Sequence, residues 1–121
     1  MVYYRRGTEF VSEYDTGITF DQLARNPDTY KNRKVMFTGR VVQVIEGERS
    51  NNLRIDTRRS GLGYSGDTIF VVYNSSLLSS RILDGDIVTI YGISQGLHTY
   101  TTVIGGSITL PRIDVDRIEL H

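Results

Sequence analysis

The sequence predicts a mainly β domain: a five-stranded Greek-key barrel with a short N-terminal helix and a helix between strands 3 and 4. Two observations carry that expectation. Apolar and polar residues alternate with period two over several runs, as in half-buried strands. The first such run, "KVMFTGRVVQVIE" at 34–46, changes phase in mid-course, as a strand does when it bends around a small barrel. Length agrees, because 121 residues enclose one modest core and are too few for a two-domain enzyme. The expected organisation is an N-terminal arm over 1–13 and the barrel domain over 14–121.

The elements follow in chain order. In "TFDQLARNPDTY" (19–30) Thr19 is a cap, and Phe20, Leu23 and Ala24 share one face before Pro27 ends the turn, so a short packing helix is expected. In the first strand Val35 and Phe37 point inward, and past Gly39 the inward set becomes Val42 and Val44. "NNLRIDTRR" (51–59) turns Leu53 and Ile55 to one face and Arg54, Asp56 and Arg58 to the other. "DTIFVVYN" (67–74) pairs with it as a hairpin, with Ile69, Val71 and Tyr73 inward and Phe70 and Val72 outward. "SSLLSSRILDGD" (75–86) has helical spacing in Leu78, Arg81 and Ile82, serines to cap its start and Gly85 to end it. "DIVTIYGI" (86–93) is a strand, "HTYTTVIGGSITLP" (98–111) reads as extended chain about a Gly105–Gly106 turn, and "RIDVDRIEL" (112–120) alternates again. Bent strand, two strands, helix and two strands is the order of an OB-fold, whose helix plugs one end of the barrel.

Charge is balanced overall, at 14 basic and 14 acidic residues, but unevenly placed. The net charge is −2 over 1–30, +5 over 31–59 and −3 over 60–121, so any pull on an anionic partner is local to the middle third. Twelve of the 14 basic residues are arginine, the side chain suited to bidentate phosphate contacts and to stacking on flat rings. The absence of cysteine excludes disulfides, thiolate metal sites and cysteine nucleophiles.

Enzymatic chemistry finds little footing. "SGLGYSGD" (60–67) has the G-x-G-x-x-G spacing, but a strand follows it where a dinucleotide site needs a helix N-terminus, so it reads as the tip of a hairpin. With the terminal His121 set aside, His98 stands alone, without a G-x-S-x-G elbow for a Ser-His-acid triad or partners for a metal. A non-enzymatic binding module with no cofactor and no metal is expected.

Ligands of OB-folds lie mainly on the outer face of strands two and three, flanked by the loops joining strands one to two and four to five. Here that face carries Arg54 and Arg58 beside an outward Phe70, a stacking platform with a cationic neighbour. Arg59 lies at the base of the glycine-rich tip, and Arg40 on the first strand extends the basic track. The flanking loops add Glu46, Glu48 and Arg49 on one side and His98 and Tyr100 on the other. The competing expectation is that the arm, through Tyr3, Tyr4 and Phe10, covers Phe70 as a second small core.

Three blocks, "YDTGITFDQLARNPDTYKNRKVMFTGRVVQVIE" (14–46), "SSRILDGDIVTIYG" (79–92) and "GGSITLP" (105–111), resemble the C-terminal OB-fold domain of the TcdC family and related extracytoplasmic Gram-positive domains. The 57–67 loop is longer and more basic than the family's usual connection. The resemblance implies a domain displayed outside the cytoplasmic membrane, in a membrane-anchored regulator of toxin-gene expression, with single-stranded or quadruplex DNA as candidate ligand. Membrane attachment would run through an anchor outside this stretch. The alternative is an envelope sensor or interaction domain that binds an oligosaccharide, a peptide or another protein.

Overall fold

A computed structural model describes residues 12–121. Five long strands close into a barrel: β1 (Lys34–Glu46), β2 (Ser50–Asp56), β5 (Thr68–Asn74), β6 (Ile87–Thr101) and β7 (Ser107–Leu120). Around the barrel the order is β1-β2-β5-β7-β6, with β6 returning to β1 and β5 lying parallel to β7. All other pairings are antiparallel, which is the OB-fold topology. The core is the inward row of each strand: Val35 and Val41, Leu53 and Ile55, Ile69, Val71 and Tyr73, Val88 and Ile90, Ile113, Val115 and Ile118.

β1 bends as expected, but its phase changes later than the sequence implies, past Val41 rather than past Gly39. Val41, not Val42, is inward and fully buried, and the register shift lies between Val41 and Gln43, so Val42 is the bulged residue. Gly39 keeps the inward phase because β2 passes too close for a side chain: a Cβ there would sit 2.2 Å from the Asp56 carbonyl oxygen. Val44 resumes contact with the core beyond the bulge.

The helix expected over 19–30 is two short ones, α1 (Phe20–Arg25) and α2 (Pro27–Tyr30). Thr19 caps α1 in a capping box with Gln22. Pro27 starts α2 rather than merely ending α1, occupying a first-turn position where its missing N–H costs nothing. Leu23 carries the packing function into the core.

The helix expected over 75–86 is not formed. A single 3-10 turn, Ser75–Leu77, ends at an extended Leu78, and irregular chain runs from there to β6. The Asn74 side chain accepts hydrogen bonds from the Ser76 N–H and hydroxyl and so caps the start of that turn. Leu78 and Ile82 still reach the core, so the segment closes the barrel end as a strap. Glu46 holds it through Arg81 at 2.7 Å, and at its end Gly85 takes φ +95° while its N–H donates to the Val41 carbonyl.

Between β2 and β5 the glycine-rich stretch is a hairpin tip, as its flanking strands imply. β2 ends at Asp56 rather than running on to Arg59, and the tip is itself ordered as a two-stranded ribbon of β3 (Arg59–Ser60) and β4 (Gly63–Tyr64). Leu62 stands fully exposed at its turn. Where the expected arm meets the barrel domain, Ser12–Tyr14 form a helical turn, and Tyr14 donates to the Asp116 carboxylate at 2.6 Å on β7. Tyr3, Tyr4 and Phe10 lie outside the described residues.

Candidate functional site

Cross-strand register assembles the site. Gln43 on β1 lies opposite Arg54 on β2, Arg54 opposite Phe70 on β5, and Phe70 beside Arg112 on β7. These four residues form a row across the outer face, since the adjoining Leu53, Ile55, Ile69, Val71 and Ile113 point into the barrel core. The next row pairs Ile45 with Asn52 and Val72.

The fourth wall comes from a ribbon that extends beyond the barrel. β6 pairs with β1 only through Ile93, while β6 and β7 stay paired out to Thr101 and Ser107. The turn at its tip is closed by the Thr102 N–H donating to the Gly106 carbonyl at 2.8 Å, with Gly105 at φ +91°, in keeping with the turn read from Gly105–Gly106. His98 and Tyr100 therefore sit on a strand and not in a loop.

Their direction is set by a bulge. Between Ser94 and Leu97 β6 advances three residues while β7 moves two, from Ile113 to Pro111, with Gly96 at φ +83°. One extra residue reverses the facing of everything after it. His98 consequently leaves the phase of the inward Ile90 and buried Ser94 and joins Phe70 on the outer face.

There the aromatic residues pack together. The His98 and Phe70 rings stack with centroids 4.4 Å apart and planes within 12°, and Tyr100 lies 6.2 Å from Phe70 and 6.3 Å from His98. The Arg54 guanidinium donates a hydrogen bond through Nη1 to the Tyr100 hydroxyl, with its carbon 5.9 Å from that ring's centre. The cover on Phe70, only 6% exposed, thus includes the β6–β7 ribbon. Phe70 faces outward as expected, but it is not an open platform.

Around this cluster lies an open cleft of about 460 Å³, lined by Gln43, Ile45, Asn52, Arg54, Phe70, His98, Tyr100, Thr101, Thr102 and Val103. Arg54 is the sole Lys, Arg, Asp or Glu side chain in this lining. Ile45 is about half exposed and Val103 fully so, giving the cleft apolar jaws above a floor of stacked rings.

Of the expected site residues, the structure brings Arg54, Phe70, His98 and Tyr100 together. It places the other three elsewhere. Arg58 pairs with Asp67 at 2.7 Å, which holds its guanidinium above the usual arginine range by hydrogen bonding and then by charge. The Arg59 guanidinium lies over the Tyr64 ring at 5.5 Å. Arg40 donates weakly to the Tyr64 carbonyl at 3.4 Å. All three surround the small ribbon and none lines the cleft. Sequence reasoning did not find Gln43, Asn52 or Val103. The alternation of β2 puts Asn52 on the Arg54 face and was available as a signal, whereas Gln43 depends on where the β1 bulge falls.

Among the described residues no group of three or more His, Asp or Glu is placed to hold a metal ion. None of the described helices is long and apolar enough to cross a membrane.

The sequence matches no family model and no curated protein sequence. Solved structures share the fold. A small single-stranded DNA-binding protein from Streptomyces coelicolor superposes with a TM-score of 0.51 at 21% identity, over 74% of this chain and 94% of that one. An aspartyl-tRNA synthetase from Entamoeba histolytica gives 0.56 at 16% identity over 88% of this chain, which spans only 22% of the synthetase. The mitochondrial single-stranded DNA-binding protein of S. cerevisiae gives 0.49 at 15% identity, over 74% and 95% of the two chains. At these identities the likeness is one of fold, and the Streptomyces and Entamoeba structures corroborate the OB-fold topology.

Proposed function

We propose that this domain is a non-enzymatic module that binds single-stranded nucleic acid in the cleft between the barrel face and the β6–β7 ribbon. One observation carries the reading: three aromatic rings and a guanidinium are gathered on the outer β2–β5 face, where OB-folds take ligands. Base stacking on such rings contributes about 1–3 kcal/mol per base and tolerates any sequence. The Gln43 and Asn52 amides offer donors and acceptors to base edges, and Arg54 offers a donor to a phosphate. The Streptomyces neighbour is named for single-stranded DNA binding, in keeping with this reading, which stands on the cleft itself.

The test is fluorescence anisotropy of a labelled single strand and of its duplex at low salt. Saturable binding of the single strand, with the duplex much weaker, is expected. A single strand that does not bind, or a duplex that binds equally well, overturns the proposal.

A second reading is favoured by the lone charge in the lining, which also suits an uncharged ligand such as an oligosaccharide or an apolar peptide. Such binding would not respond to salt. On the resemblance of residues 14–46, 79–92 and 105–111 to TcdC domains, we propose that the parent protein is a membrane-anchored regulator of toxin-gene expression that displays this domain outside the cytoplasmic membrane. Protease accessibility of the domain on intact cells tests that placement, and full protection would overturn it.

A further inference from the structure

His98 lies on Phe70 as a base lies on an aromatic side chain, with centroids 4.4 Å apart and planes within 12°. Beside it the Tyr100 oxygen accepts from Arg54, where a base edge or a phosphate oxygen would be received. The same arrangement leaves Arg54 Nε buried with no hydrogen-bond acceptor among the described residues, an unmet donor of the kind folded proteins rarely keep. The ribbon thus supplies a ring and an acceptor that match a nucleotide, yet it satisfies the arginine incompletely.

The ribbon is also tied to the barrel by few backbone bonds. Beyond Ile93 the pairing with β1 ends, so the backbone of residues 97–101 of β6 is paired only with β7, and the barrel holds them through the side chains of Phe70 and Arg54. A two-stranded ribbon is marginally stable by itself, and this one joins the barrel at the Gly96 bulge.

We propose that the space filled by the His98 ring is a nucleobase subsite, occupied in the free protein by this imidazole, and that a bound single strand displaces His98 from Phe70. The proposal rests on the nucleic-acid reading above and adds a mechanism to it. The ligand of the subsite is a planar heteroaromatic ring whose edge carries an acceptor for Arg54, taking over from the Tyr100 hydroxyl. Displacement uncovers the Phe70 face and opens a path to Arg54 Nε.

Two measurements test it, with oligothymidylate as the probe. In the free wild-type protein the Phe70 ring current shifts the His98 ring protons upfield in the NMR spectrum, and saturation with the probe is expected to abolish that shift. His98→Ala, which removes the competing stack, is expected to bind the probe about 2- to 12-fold more tightly, the equivalent of one aromatic pair. His98 resonances that stay upfield in the complex, or a folded His98→Ala protein that binds no more tightly than wild type, would overturn the subsite and leave the nucleic-acid reading standing. Should the variant fail to fold, the wild-type resonances decide. Absence of binding by both proteins removes the reading and the subsite with it.

Discussion

The response of binding to salt follows from where the guanidinium groups are held. Arg54 lines the cleft, while Arg58 is tied to Asp67 at 2.7 Å and Arg112 to Asp114 at 2.9 Å. A strand in the cleft therefore neutralises one phosphate, or two if Arg112 exchanges its carboxylate for the ligand. Each phosphate contributes about −0.7 to the slope of log K against log salt for single strands, so a slope between about −0.7 and −1.4 is expected. Between about 50 and 200 mM salt that is a loss of about 2.5- to 7-fold, against about 300-fold for a track of six phosphate contacts. Anisotropy titrations of a labelled single strand across that range measure it directly. Arg54→Ala should flatten the slope by about 0.7, whereas Arg58→Ala and Arg59→Ala should leave it unchanged. A slope steeper than about −3, or one that falls when Arg58 or Arg59 is removed, would refute the assignment and move the binding surface to the small ribbon.

Other consequences concern the scaffold. Replacing residues 59–64 by Asn-Gly, a two-residue hairpin turn, should leave both the melting temperature and single-strand affinity unchanged, because none of those residues lines the cleft; unfolding would show that the ribbon supports the barrel. Gly39→Ala should destabilise by about 1–3 kcal/mol in denaturant titration, since its Cβ would meet the Asp56 carbonyl oxygen at 2.2 Å, and a neutral result would mean that β1 and β2 separate without cost. Burial and then the hydrogen bond to Glu119 push the Tyr91 hydroxyl up to about 12. Because that lies above the unfolded value of about 10, its contribution to stability is intact below about pH 10 and is lost as pH rises through about 12. Thermal melts across that range should show a loss that Tyr91→Phe reduces, and identical pH profiles would contradict the pairing.

Much of the barrel is legible in the sequence because period-two alternation records which face is buried. Leu53, Ile55, Ile69, Val71 and Ile113 alternate cleanly and are buried to within 1%. Departures occur where one residue changes the phase. At Val42 the identity of the bulged residue depends on the partner strand, since Val41 and Val42 are chemically alike. At Gln95–Gly96 the bulge turns His98 and Tyr100 onto the Phe70 face, a long-range outcome of register; the local signal is Gly96, the second of two glycines in the β run "DIVTIYGISQGLHTYTT". The strap over 75–86 shows the limit of helical spacing: Leu78 and Ile82 point inward as a helix would direct them, but after one turn capped by Asn74 the chain leaves the helical conformation at Leu78. For the site, alternation identifies Arg54 and Phe70 as outward neighbours. That Arg58 and Arg59 are held by Asp67 and Tyr64 emerges only from the fold of the ribbon.

The central claim is that the Phe70–Arg54 face receives a single strand, and the most direct measurement compares wild type with Phe70→Ala at low salt. A labelled oligothymidylate is titrated into each, and far-ultraviolet circular dichroism and thermal melting confirm that both are folded. Losing one stacking surface of about 1–3 kcal/mol predicts an affinity lower by about 5- to 150-fold for Phe70→Ala. Equal affinity in the two folded proteins would contradict the account.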